Sequence, residues 1–137
     1  MGVRAAIGAE AREAGKEFES IMDKSLLRMH DVWFTRLRDG KGAERPADTL
    51  ALFPSVRMLM EYKRTKSERF SLSLIEKVQI EGLVNFEKAG INNYGLVFVN
   101  FYNMYTYTDY CFCFRLVHLL HWLVSNKKTS NYNIMVA

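Results

Sequence analysis

The spacing of apolar and polar positions divides the chain into alternating helical and extended segments. From Gly15 onward, Phe18, Ile21, Met22, Ser25, Leu26 and Met29 fall in one arc when wound at a helical period. That arc predicts an amphipathic helix of about three to four turns. Residues 1–14, MGVRAAIGAEAREA, are small and charged with no apolar stripe, so they read as a mobile arm or a frayed helix start. Residues 32–37 suit a short strand. Residues 38–46, RDGKGAERP, make a polar loop, with two glycines and a proline. Residues 47–53 and 56–62 read as the two strands of a hairpin turning at Pro54-Ser55. A charged connection over 63–69 follows.

The second half repeats the alternation. Residues 73–89 predict a second helix, stopped by Gly90. Its stripe of Ile75, Val78, Gly82, Leu83, Phe86 and Ala89 contains one polar residue, Gln79. Residues 94–102, YGLVFVNFY, are rich in β-branched and aromatic side chains and form the clearest strand. Residues 110–115 are its expected partner, and 116–124 a short apolar helix. The tail from 125 to 137 is expected to be loose or to add an edge strand. The order helix, strands, helix, strands, helix predicts a single mixed α/β domain, a central sheet flanked by helices.

Composition narrows the class. At 137 residues with 49% hydrophobic side chains, the chain is one ordinary domain able to bury a core. Net charge is a modest +4, yet residues 36–69 hold nine Lys or Arg against five Asp or Glu. That local excess suits contact with a phosphate backbone, although a solvated face would look the same. Two cysteines, Cys111 and Cys113, are too few for a zinc cluster and read as reduced, core-facing thiols. Residues 1–14 contain Arg4, Glu10, Arg12 and Glu13 and no apolar block, so no leader is expected there. The stretch 110–124 is interrupted by Arg115, His118 and His121 and is too short to span a bilayer. A cytoplasmic protein is expected.

The candidate chemistry lies in residues 45–63, RPADTLALFPSVRMLMEYK. In a hairpin, Asp48 at the start of one strand returns beside Glu61 and Lys63 at the end of the other. Glu61 and Lys63, two apart, share a face. Two carboxylates hold Mg²⁺ through hard oxygens, and the ion makes hydroxide available near neutral pH. The lysine orients the attacking water or stabilises the phosphorane, and the Tyr62 carbonyl offers another oxygen ligand. The plain alternative is a turn aspartate and a solvated Glu61–Lys63 pair. Glu19 falls at the edge of the first helix's apolar arc, facing the helix–sheet boundary, and Glu17 lies further out. Gln79 inside a buried stripe must find partners or cost about 1–3 kcal/mol, either from backbone or from a site. His118 and His121 have no third ligand and read as packing or surface residues. Phe101, Tyr102, Tyr105, Tyr107 and Tyr110 offer stacking surfaces, with core and hairpin packing the expected role.

GKEFE (15–19), RPAD (45–48), EYKRTK (61–66), FSLSLIEKVQIEGL (70–83) and GLVFVNF (95–101) together resemble the PD-(D/E)xK nucleases, and among them the RecU-type Holliday junction resolvases. The resemblance implies a restriction endonuclease-like nuclease domain over residues 15–124. It implies Mg²⁺, with Mn²⁺ able to substitute, ligated by Glu19, Asp48 and Glu61, with Lys63 assisting the water and Gln79 supporting the site. It further implies a homodimer that nicks four-way DNA junctions in recombination and repair, with no membrane partner. Arg36, Arg38, Lys41 and Arg45 before the hairpin, and Arg64, Lys66 and Arg69 after it, would flank a phosphate path. The chain departs from the family in three places. Tyr62 stands where a small residue is usual, Val78 where histidine is common, and the long stalk insertion is nearly absent. Another nuclease of the superfamily, or a non-catalytic DNA-binding module with the same fold, are the competing expectations.

Overall fold

The computed structural model describes residues 2–39, 44–125 and 133–135. Helix α1 (Gly2–Leu27) leads into β1 (Trp33–Arg36), β2 (Thr49–Leu52), β3 (Arg57–Thr65) and β4 (Arg69–Ser71). A single 3-10 turn over Leu72–Leu74 precedes α2 (Lys77–Lys88). Then come β5 (Asn93–Asn103), β6 (Thr108–Arg115), α3 (Leu116–Ser125) and β7 (Asn133–Met135). Five strands form one sheet in the order β1-β2-β3-β5-β6. The β1–β2, β2–β3 and β5–β6 pairs are antiparallel, and β3–β5 is parallel. Parallel neighbours need a crossover, and α2 supplies it.

Each sheet face has its own core. On one face Leu59, Val97, Val99 and Phe101 pack with Leu83 of α2 and Leu116 of α3. On the other, Ala51, Met60, Tyr62 and Leu96 pack with Phe18 and Leu26 of α1. β3 and β5 are covered on both faces over their middles, and β5 accordingly reads as a nearly unbroken apolar run, whereas β3 carries Glu61 and Lys63 within its covered length. The mixed sheet flanked by helices is the architecture the sequence predicts.

Two glycines set how closely α2 approaches. A Cβ on Gly95 would lie 2.7 Å from the Leu83 carbonyl oxygen, and one on Gly82 would lie 2.4 Å from Pro46 Cβ. The helix therefore rests directly on β5 and on the segment leading to Asp48.

Several boundaries differ from the sequence reading. α1 begins at Gly2, not near Gly15: residues 2–14 lack an apolar stripe, but alanine, glutamate and arginine favour helix and extend the buried part outward. The expected connection over 63–69 is shorter, because β3 runs on to Thr65 alongside β5. The second helix starts at Lys77, after Ile75 and Glu76 adopt extended backbone. β7 adds its strand to β4, away from the main sheet, and the rest of the tail lies outside the described residues. Cys111 and Cys113 are exposed, not core-facing, because they lie on β6, the edge strand. Phe101 packs in the core as expected, but Tyr105, Tyr107 and Tyr110 are exposed, so core packing is not their role.

Candidate functional site

The site begins where two paired strands part. β2 stops pairing at Thr49, opposite Met60, whereas β3 continues beside β5 for five more residues. Backbone donors on that extension need acceptors. The Tyr62 N–H donates to Asp48 Oδ2 at 2.7 Å, while the Asp48 N–H donates to the Met60 carbonyl at 3.0 Å. The Asp48 side chain thus prolongs the ladder and is fixed against β3, as the hairpin geometry predicts.

Alternation along β3 sends Glu61 and Lys63 to the α2 face and the Tyr62 ring to the α1 face. The large ring at position 62 finds its room there, edge-on to Phe18 and Phe98 with centroids 6.0 and 5.9 Å away. Burial pushes its phenol up to about 12. Glu61 is only 2% exposed. Its Oε1 accepts from Gln79 Nε2 at 2.9 Å and lies 2.9 Å from Lys63 Nζ. Gln79 is held in turn, its Oε1 accepting from the Glu76 N–H at 2.9 Å. The buried amide is therefore divided between helix start and site.

Charge at this end is incompletely balanced. Burial, and next the nearby Asp48 carboxylate, push Glu61 up to about 7, against the pull of Lys63 and Arg45. Glu61 Oε2 and Asp48 Oδ1 are buried and accept no hydrogen bond among the described residues. Arg45 Nη2 comes within 3.0 Å of Asp48 Oδ1, but off the direction a hydrogen bond requires. Buried carboxylate oxygens without donors are costly unless something cationic can reach them.

Glu19 reaches the same region from α1. Its Oε2 lies 3.0 Å from Arg36 Nη2, and its Oε1 lies 3.9 Å from Arg45 Nη2. Burial, followed by the Asp48 charge, raises its pKa. The structure thus gathers Asp48, Glu61, Lys63 and Gln79, with Glu19 joined to them through Arg45. Among the described residues no three His, Cys, Asp or Glu side chains converge as a ready metal cage. The carboxylates are instead turned toward arginine and lysine. Glu17 is exposed and pairs with Arg64.

The expected basic flanks divide into bound and open residues. Arg36 bridges Glu19 and Asp23, and Lys66 pairs with Glu10. Arg64 is enclosed: it donates to Asn100 Oδ1 at 2.7 Å and stacks over the Tyr102 ring at 4.0 Å. Arg38 and Arg69 are exposed, and Lys41 lies outside the described residues. His118 and His121 are exposed on α3. Sequence reasoning missed Asp23, whose Oδ2 accepts Arg36 Nε at 2.6 Å. Its spacing of four from Glu19 on one helix face was the available signal.

The sequence matches no protein-family model and no curated protein. The fold is similar to that of Hjc, a Holliday junction resolvase from the archaeal hyperthermophile Archaeoglobus fulgidus, with a TM-score of 0.60, 18% identity and 88% of each chain covered. The restriction endonuclease-like fold class expected from the sequence is the one this likeness supports.

Proposed function

We propose that this chain is a Mg²⁺-dependent DNA endonuclease, acting as a homodimer on branched or four-way DNA in recombination and repair. The observation that carries the reading is the meeting of buried Asp48 and Glu61 with half-buried Lys63 where β2 and β3 part, with one oxygen of each carboxylate lacking a hydrogen-bond donor among the described residues. Its placement on a fold shared with a junction resolvase supports the choice of substrate. The RecU-type blocks in the sequence add the same direction.

The donor set fits a hard divalent cation: Glu61 Oε2 and Asp48 Oδ1 have no hydrogen-bond donor among the described residues, Asp48 Oδ1 facing only the Arg45 charge, and the Tyr62 carbonyl and Glu19 would complete the shell. When bound, such an ion lowers the pKa of a water and polarises the scissile phosphate. The chain's own groups do the rest. Lys63 Nζ, anchored on Glu61, orients the attacking water and holds positive charge beside the phosphate. Gln79 fixes the Glu61 carboxylate against rotation. Arg38 and Arg69, both exposed, would hold the phosphate backbone without reading bases, as the sequence also suggests for Lys41.

Incubating the protein and Mg²⁺ with matched four-way, flap and linear duplex substrates tests both levels. Cleavage of the four-way junction in preference to duplex is expected, and Asp48→Asn should abolish it while DNA binding persists. Equal cleavage of all three would point to another nuclease of this fold. DNA binding without cleavage in any of them would leave a non-catalytic module and reject the proposal.

A further inference from the structure

Arg45 occupies a position that backbone contact with DNA does not explain. One guanidinium nitrogen, Nη2, stands 3.0 Å from Asp48 Oδ1 and 3.9 Å from Glu19 Oε1. It thus sits between carboxylates from two different elements, in the space where acid groups would otherwise repel one another. The contact with Asp48 is one of charge, not of direction, because Asp48 Oδ1 accepts no hydrogen bond among the described residues. A charge held without directional bonds is readily exchanged for another.

The backbone around Arg45 is fixed while its side chain is not enclosed. The Arg45 N–H donates to Asp39 Oδ1 at 2.7 Å. Pro46, the next residue, lies against Gly82 of α2 closely enough to exclude even a Cβ. The side chain itself is 36% exposed, so it can leave the acids by rotation about its own bonds with the chain in place.

Resting on the reading of this site as a cation-dependent nuclease, we propose that Arg45 is a built-in counter-ion. It holds Asp48 and Glu19 while no divalent ion is present, and an entering ion must displace it. Arg45 then competes with Mg²⁺ for the same carboxylates. Once displaced, its guanidinium is available to a phosphate in front of the site, where a planar, weakly hydrated cation binds well.

The test is calorimetric titration of Mg²⁺ into the full chain without DNA, near pH 8.5 so that protons do not compete, comparing wild type with Arg45→Gln and Arg45→Lys. Arg45→Gln is expected to bind Mg²⁺ about tenfold more tightly, the scale of one charge-assisted contact removed from competition. Its metal-free melting temperature should fall below wild type, and Mg²⁺ should raise it by more. Arg45→Lys, which keeps the charge as a more hydrated point, should lie between them and serves if the glutamine variant fails to fold. Mg²⁺ binding to wild type that neither variant strengthens overturns the counter-ion role and leaves the nuclease reading standing. No Mg²⁺ binding to any of the three rejects both.

Discussion

A buried carboxylate favours folding least where it must be charged, and Glu61 is in that situation. Its folded pKa of about 7 lies above the ordinary 4.5. It therefore supports folding fully only below about pH 4.5, and that support is lost as pH rises through about 7. Glu61→Gln should flatten this part of the stability profile and, near pH 8, stabilise the metal-free protein by about 1–2 kcal/mol in urea unfolding, a familiar exchange of activity for stability. Lower stability of that variant near pH 8 would contradict the account. Gln79→Leu should act oppositely and cost about 1–3 kcal/mol, because it strips a donor from Glu61 and an acceptor from the Glu76 N–H. The three residues Asp48, Glu61 and Lys63 were legible because hairpin geometry and two-residue alternation are local rules. The double duty of Gln79 was half legible. Its position in an apolar stripe marked it as needing partners, but a helix start at Glu76 had no serine, threonine or aspartate to announce it.

Among the elements, α2 decides whether the site is assembled. It carries Gln79 toward Glu61, and its Gly82 lies against Pro46 of the RPAD segment. Gly82→Ala would force its Cβ into the Pro46 ring, at a cost of about 1–3 kcal/mol, and push Arg45 and Asp48 out of place. Loss of both stability and cleavage is expected, and a variant with unchanged activity would show that α2 does not set the geometry. The other end of α2 is tied by Glu87, which accepts from the Gly95 N–H at 3.0 Å and from Arg115 at 3.1 and 2.8 Å. Burial pushes its pKa up, but the Arg115 and Gly95 hydrogen bonds outweigh that and hold it below 4.5. Its support is present above pH 4.5 and lost as pH falls through the lowered value. Glu87→Gln should remove that acid-side loss in a pH series of unfolding curves. Strand and helix identities were readable from periodicity. Two missed boundaries share a cause: Thr65 and Gly2 lie beyond the apolar pattern, where neighbouring strands and intrinsic helix preference decide; the later start of α2 at Lys77 follows instead from the extended backbone of Ile75 and Glu76.

Over the whole molecule, the sheet has two edges, β1 and β6; β1 exposes Trp33, and β6, the longer strand, exposes both Tyr110 and Phe112. Tyr110 is 55% exposed on it and Trp122 53% exposed on the following α3. An uncovered apolar edge invites pairing with another chain, and a second copy is the partner proposed. Tyr110→Glu should lower the sedimenting mass to that of a monomer. A wild type that sediments as a monomer at all concentrations would reject the dimer. The exposure of β6 was not legible, since alternating cysteines and aromatics look like core until it is known that α1 covers β3 and does not reach the edge. Charge was legible only in total. The excess in residues 36–69 is real, but Arg36, Arg45, Arg64 and Lys66 are engaged by acidic or amide partners, and pairing is a property of the fold. The most direct trial of the whole account is nicking of a synthetic four-way junction by the full chain in Mg²⁺, in parallel with excess chelator and with Glu61→Gln. Symmetrical nicks that require both the metal and Glu61 are predicted. Nicking that survives chelation or the substitution, or its absence from the wild-type protein in Mg²⁺, would contradict it.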